Sequence, residues 1–501
     1  MLSTVSARRA LWLGLLLVLA LFCTPAAASE GGHHGLDGSK LGLWMILPFA
    51  GLLLAIALCP LFTPKFWHHH YGKVSAGFGV VAVLLMIVIG EGGGGGFEAT
   101  LQSGMHVYLL DYVPFIILLL GLFTIAGGIY IRGDFRGTPF TNTMFLLVGT
   151  LIASWTGTAG ASMLLIQPVL RANKQRKKKA HIIVFFIFLV SNIGGSLTPL
   201  GDPPLFLGFL KGVSFFWTFH ILPETAFCAA ILLALFFVLD TMIYKSDPLP
   251  PIDPNAQREK FGVLGVHNLL FLGGMIAAIL GGAWLGGSGG ALEGKALHIG
   301  NLAEVGYAGL LRDVVILIMA GLSLYTTRKA IREANNFSWG PIKEVAKLFA
   351  GIFICMVPAL SILGAGKDGA LAVVVNNVEY PWQYFWATGA LSSFLDNAPT
   401  YLVFFQTAQA TPMSVFAARG MSADPVSALV DMPHIILVSI SCGAVFMGAN
   451  TYIGNAPNFM VKAIAEENDV KMPSFLGYML WSVGILIPLF VLLSFLFFRI
   501  G

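Results

Sequence analysis

The chain has 501 residues, of which 56% are apolar and only 11% charged, where soluble domains carry roughly 25%. That composition excludes a soluble enzyme, and the formal charge of +4 says little about partners until its placement is read. Gly (58) and Pro (25) are spread through the apolar runs, so many helices must be broken or closely packed. The five cysteines lie in or beside apolar segments without Cys-x-x-Cys spacing and read as small core residues, not as a disulfide frame or metal site.

Arg8 and Arg9 precede an apolar stretch over 10–22 and then Pro25-Ala26-Ala27-Ala28-Ser29. These are the three regions of a secretory signal peptide, residues 1–28, with cleavage expected after Ala28. An uncleaved first helix is the alternative, and either puts Ser29 onward on the outer face. Hydropathy then gives full crossings near 41–62, 74–90, 113–131, 181–210, 225–243, 266–287, 313–327, 348–365, 434–461 and 475–498. The stretches 140–170 and 383–410 are interrupted by small polar residues and look like re-entrant hairpins.

If residue 41 enters from outside, the loops 63–75, 132–141, 171–180, 244–262, 327–347 and 461–474 are cytoplasmic. They hold 20 Lys and Arg against seven in the outer segments, which satisfies the positive-inside rule. Arg171, Lys174, Arg176, Lys177, Lys178 and Lys179 contribute most of the bias. Their place between two membrane segments argues against nucleic acid as a partner. The expected location is the cell inner membrane, multi-pass, with the mature N-terminus outside.

The segment from His181-Ile182-Ile183 to Phe206 matches His434-Ile435-Ile436 to Phe459 at a constant offset of 253, without gaps. Thr158-Ala159-Gly160-Ala161 and Gln167 match Asn397-Ala398-Pro399-Thr400 and Gln406 at an offset of 239. The chain therefore divides into two homologous transmembrane halves, 41–243 and 262–498, joined by a cytoplasmic linker, 244–261. An odd number of full passes per half inverts the second. The loop 411–433, counterpart of the basic loop 171–180, agrees by carrying one Arg against two Asp. The expected fold is an all-α polytopic membrane protein of two inverted repeats, each with a re-entrant hairpin and a broken transmembrane helix. Secondary transporters are built this way, with their sites near the midplane at the repeat interface.

The 33 residues from His181 to Val213 would span about 50 Å as a straight helix, more than the hydrocarbon thickness. Pro199, Gly201, Pro203 and Pro204 predict the break, with carbonyls near Leu197 to Leu200 left for a protein, water or cation partner. Gly454 and Pro457 do the same in the second half. Asp202 sits in the first break and Asp396 at the tip of the second hairpin. A carboxylate inside a membrane costs about 2.5–3.5 kcal/mol on insertion scales and is a functional candidate by default; a helix N-cap is the competing role. Around them stand Asn192, Ser196, Thr198, Thr158, Ser162, Asn397, Thr400, Asn450, Thr451 and Asn455. Hard cations such as sodium favour such oxygens, although each can instead satisfy a helix break. Glu224 and Asp240 read as boundary residues, Arg312-Asp313 as a solvated pair opening a crossing, and His181 and His434 as symmetry mates packing at helix ends. His68-His69-His70 and the run Gly92 to Gly96 read as loops.

Ser191-Asn192-Ile193-Gly194-Gly195-Ser196-Leu197-Thr198-Pro199-Leu200-Gly201-Asp202-Pro203-Pro204, with Asp396-Asn397-Ala398-Pro399-Thr400, resembles the NhaD-type sodium/proton antiporters of the ion transporter superfamily. That superfamily also includes citrate, dicarboxylate and arsenite carriers, and the resemblance spans nearly the whole mature chain. It implies an exchanger of sodium or lithium for protons that uses Asn192, Asp202, Asp396 and Asn397, with Asp202 and Asp396 binding sodium. It further implies a homodimer and no cofactor beyond the transported ion and proton. The chain departs from the pattern at Gly157-Thr158, where the antiporters have an Asp-Asn pair, so charge in that half of the site is missing. A citrate- or dicarboxylate-type carrier, holding an organic anion on helix N-termini, is the second reading, and arsenite export the third. No Arg or Lys lies in the candidate site to match a polyanion.

Overall fold

Apolar runs with few charges can satisfy their backbone in a bilayer only as helices, and helices dominate the computed structural model. It describes residues 35–90, 96–247, 260–300, 302–422 and 424–499. The expected signal segment 1–28, most of the linker 244–261 and Gly92–Gly95 lie outside these residues. Among the described residues nine segments are long and apolar enough to cross a membrane, and His434–Asn450 is a shorter apolar helix in the place of a tenth. The chain is an all-α polytopic membrane protein.

Helices α1 (Leu47–Phe62), α2 (Pro64–Gly90) and α3 (Phe97–Val107) lead through a π-helical turn, Tyr108–Tyr112, into α4 (Val113–Ala126). A hairpin follows, α5 (Pro139–Thr156) and α6 (Thr158–Ala172), then a broken helix, α7 (Ala180–Leu189) and α8 (Pro203–Leu210), then the long α9 (Leu222–Ser246). The second half repeats this order. Three long helices, α10 (Asn268–Gly286), α11 (Tyr307–Thr326) and α12 (Gly340–Gly364), precede a hairpin, α13 (Pro381–Ser392) and α14 (Asn397–Gln409). The broken helix α15 (His434–Met447) and α16 (Ala456–Glu467) and the final α17 (Phe475–Phe497) complete it. Strand β1 (Tyr130–Arg132) pairs antiparallel with β2 (Gly262–Leu264), tying the chain just before the first hairpin to the chain just after the linker.

The helices sort into two packed groups. The leading helices bundle together, α2 on α12 and α4 on both α10 and α11, whereas hairpins and broken helices pack on one another. Within the second group the halves exchange arms: α14 packs on α8, and α6 on α16.

Several boundaries differ from the sequence expectation. Helix α2 begins at Pro64, so His68, His69 and His70 lie on its first turns and not in a loop. Helix α11 begins at Tyr307, which carries Arg312 and Asp313 inside it. Both are buried, with Arg312 Nε 2.8 Å from Asp313 Oδ1, so the pair is not solvated. The first broken helix ends at Leu189, ten residues before Pro199, and its gap runs through a 3-10 turn, Ile193–Leu197. Pro203 and Pro204 are the first two residues of α8, where the missing N–H costs nothing.

Candidate functional site

Breaking a helix in a membrane frees carbonyls, and here side chains take them up. Asn192 Nδ2 donates to Ile187 O (2.8 Å), Ser154 Oγ to Gly194 O (2.6 Å) and Thr218 Oγ1 to Leu197 O (2.8 Å). The carbonyl expected to be open at Leu197 is thus already bonded. In the second break Asn458 Nδ2 donates to Gly448 O (2.8 Å) and Thr451 O (2.9 Å). Two details recur at the repeat offsets. Thr198 donates to the Ser154 carbonyl, and its mate Thr451 donates to that of Ser393, the mate of Ser154. A Cβ on Gly201 would run into the carbonyl of Gly195, and one on Gly454 into that of Gly448, so each gap closes as a backbone-on-backbone crossing only glycine permits.

These gaps and the two hairpin tips place four helix starts around one cavity of about 110 Å³, at Thr158 (α6), Pro203 (α8), Asp396 preceding α14, and Ala456 (α16). Asp202 and Asp396 both line it. The wall formed by α4 and α12 is apolar, including Leu118, Leu122, Ile342 and Phe349. No Lys, Arg or His is among the described residues lining it.

Asp202 is 1% exposed and accepts from three side-chain donors. Its Oδ1 accepts from Thr158 Oγ1 (2.8 Å) and Asn455 Nδ2 (3.2 Å), and its Oδ2 from Asn397 Nδ2. Although Asp202 occupies the N-cap position of α8, its side chain makes no capping bond. Asn455 is its mate at offset 253, so the same position supplies an acid in one half and an amide in the other. Asn455 also donates to Asn192 Oδ1 (3.2 Å), and Asn192 Nδ2 reaches Asn458 Oδ1 (2.7 Å), which carries the network across both halves.

Asp396 is half-buried and does cap its helix, Oδ1 accepting from Ala398 N at 3.1 Å. The adjoining Asn397 Oδ1 is buried without a hydrogen-bond partner. Asp396, which lines the cavity, keeps spare lone pairs of the kind a small hard cation takes. Among the described residues no group of three or more His, Cys, Asp or Glu could hold a transition metal.

Helix N-termini favour anions through their free N–H groups and dipoles, but at three of these four starts, all except α6, those groups are depleted. Two prolines open α8, Pro457 stands second in α16, and α14 has Pro399 third with Ala398 N committed to Asp396. The dipoles therefore act on the two carboxylates more than on a bound solute.

Of the residues singled out from sequence, Asp202, Asp396, Thr158, Asn397, Asn455 and Asn192 come together. The others act as braces. Thr198 and Thr451 hold hairpin carbonyls, Ser196 bonds Thr225 Oγ1 (2.6 Å), and Thr400 bonds Asp396 O (2.9 Å). Ser162 bonds Ser191 Oγ (2.8 Å) and Asn450 bonds Ser393 Oγ (2.9 Å). Asn458, Ser154 and Ser393 were missed, although the Ser154/Ser393 pair obeys the 239 offset and was findable by extending that match.

Charges read as boundary residues are buried instead. Asp240 is fully buried on α9, its carboxylate 2.6 Å from Arg176 Nη2 and 2.8 Å from His181 Nε2, with Asn142 Nδ2 donating at 2.9 Å. His181 is therefore part of an ionic cluster, unlike His434, whose Nδ1 accepts from Trp217 Nε1 at 2.8 Å. Glu224 is buried in the first turn of α9, with Oε2 unpartnered. Asp111 on the π-turn, unnoticed in sequence, is buried against Lys211 Nζ at 2.7 Å.

The sequence model of a family described as putative citrate transport matches residues 38–498. Two curated relatives, each named only as an uncharacterized transporter, come from Mycobacterium bovis and Mycobacterium tuberculosis. Each is 25% identical over 374 residues, covering 70% of this chain and 78% of the relative.

Proposed function

Starting from the putative citrate transport family, to which the chain belongs, we propose that this membrane transporter exchanges sodium or lithium for protons by alternating access. The observation that carries this reading is the pair Asp202 and Asp396 lining one cavity with no basic residue beside them. Two acids facing a small hard cation and a proton in turn can pass one against the other. At about 110 Å³ the cavity has room for several waters or a partly hydrated ion. The recurrence of the same carbonyl bonds at fixed sequence offsets supports two inverted repeats, 41–243 and 262–498, related across this cavity. With its signal segment and basic inner loops, the protein is proposed to sit in the inner membrane with the mature N-terminus outside, as a homodimer.

A citrate- or dicarboxylate-type carrier is the second reading, favoured by the family description. It requires a bound cation to offset the acids, because three depleted helix N-termini and the lack of Lys or Arg leave a polyanion few donors beyond the start of α6. The deciding experiment is dye-reported proton movement in proteoliposomes challenged in turn with sodium, lithium, citrate and arsenite. Sodium or lithium should release protons in the wild type, and Asp202→Asn and Asp396→Asn should each abolish the release while still inserting. Movement driven by citrate alone would select the second reading, and exchange fully retained in either variant would remove the acids from the mechanism.

A further inference from the structure

A second recess shares no lining residue with the acid-bearing cavity. It is a groove of about 550 Å³ between α2 and α12, with Tyr108 of the π-turn as part of its wall. Gly72, Ala76 and Gly79 on α2, facing Ala350 and Gly351 on α12, keep it open. The Tyr108 hydroxyl is already spent on Ala350 O at 3.0 Å, so the wall it forms is apolar. The lining on α2 extends from Gly72 to Leu84, a rise of about 18 Å at 1.5 Å per residue, comparable to an extended acyl chain.

One charged residue, Lys347, lines the groove. Its stem lies over Gly72, where a Cβ would come within 3.0 Å of Lys347 Cδ, and its ammonium is 5.5 Å from the Tyr71 ring centroid. Lys73 follows Gly72 in the chain, Lys343 is one turn from Lys347, and all three lysines are exposed. The only acid in those turns is Glu344, which faces His68 across the helix pair. The apolar runs of α2 and α12 begin at these lysines, so they stand at the level where a membrane's phosphates lie.

We propose that this groove binds an anionic phospholipid, one acyl chain lying between α2 and α12 and the phosphate held by Lys347 with Lys343 and Lys73. Charge complementarity selects the ligand: an apolar slot open to lipid admits any chain, and a basic mouth prefers the anionic headgroup.

The test is native mass spectrometry of the full chain in detergent, titrated with phosphatidylglycerol, with phosphatidylcholine of the same acyl chains, and with glycerol 3-phosphate. Phosphatidylglycerol should bind about tenfold more tightly than phosphatidylcholine, and glycerol 3-phosphate should give no adduct. The triple variant Lys347→Ala/Lys343→Ala/Lys73→Ala should erase the preference while keeping weak binding of both lipids, and Ala76→Phe, which fills the slot, should weaken both. Equal affinities in the wild type, a preference that survives the lysine changes, or binding unaffected by Ala76→Phe would each overturn the proposal. So would glycerol 3-phosphate binding as well as the lipid, or a dimer lost in Ala76→Phe without lipid adducts, which would assign the groove to a second copy of the chain.

Discussion

Asp202 and Asp396 look equivalent as letters and are not equivalent as groups. Asp202 is enclosed by three side-chain donors, whereas Asp396 accepts one backbone N–H and keeps lone pairs toward the cavity. Their mates at the repeat offsets, Asn455 and Gly157, are uncharged. Gly157 has φ +78 and ψ 149, a region that is nearly glycine-only, while Asp396 at the corresponding position has φ −60. The missing acid in the first hairpin therefore accompanies a different backbone, and restoring it has a structural cost. Gly157→Asp and Gly157→Ala should both destabilise the protein by about 1–3 kcal/mol, read as a lowered thermal midpoint in detergent. If only the Asp variant suffers, charge and not backbone is responsible. The acids were legible because an intramembrane carboxylate is rare. Asn458 was not, because an amide that serves carbonyls carries no such signal until the break is seen in three dimensions.

At the level of elements, the breaks were legible from their prolines and glycines, but their extent was not. The first begins after Leu189, ahead of every proline it contains, at Val190-Ser191-Asn192, small and polar residues that a hydropathy window absorbs into the crossing. What holds it is side chains on its carbonyls, Asn192 locally and Ser154 and Thr218 from elsewhere in the fold. The loop from α6 to α7 makes the same point with charge. Arg176, counted as one more positive-inside residue, is buried against Asp240 and His181 and pins that loop to α9. Asp240→Asn should cost about 3–5 kcal/mol, because it leaves a buried guanidinium without its counter-ion; a melt within error of wild type would show that water reaches the cluster. Just beyond α9, Asp247 Oδ2 accepts from Lys177 N (2.7 Å) and Lys178 N (2.8 Å). The backbone N–H of Lys178 is the main cause holding this carboxyl below its ordinary value. A depressed value means the clasp is present above the ordinary carboxylate range, near pH ~4, and is lost as pH falls through the lower, folded value. Hydrogen exchange at Lys177 and Lys178, corrected for intrinsic rates, should show protection that fades only below that range and is absent in Asp247→Ala.

For the molecule as a whole, the duplicated order of elements was readable from two sequence offsets, since duplicated breaks repeat both the residues and the bonds they make. The sorting into a bundle of leading helices and a body of hairpins and broken helices was not readable, because apolar helices of either group look alike in composition. The site lies where these two groups and both halves meet. Because Asn455 Nδ2 and Asp202 Oδ1 are 3.2 Å apart at mated positions, the double exchange Asp202→Asn/Asn455→Asp keeps one carboxylate and one amide at the junction. Proteoliposomes carrying it should recover part of the cation-driven proton movement lost in Asp202→Asn alone. No recovery would mean that the transport step needs the acid on the first half specifically.

The short ribbon of β1 and β2 bears on how such a body could turn. Everything from the first hairpin through α9 leaves the leading helices at Tyr130–Arg132 and returns to them at Gly262–Leu264, and these two stretches are laced side by side. The chain of that block is thus hinged at one place, with Lys211 on Asp111 and α6 on α4 as its further holds on the frame. Because α6 and α8 of that block are packed on α16 and α14, any turn would carry the second half's arms with it, and stiffening those few residues should slow the turn while leaving the chemistry at the cavity untouched.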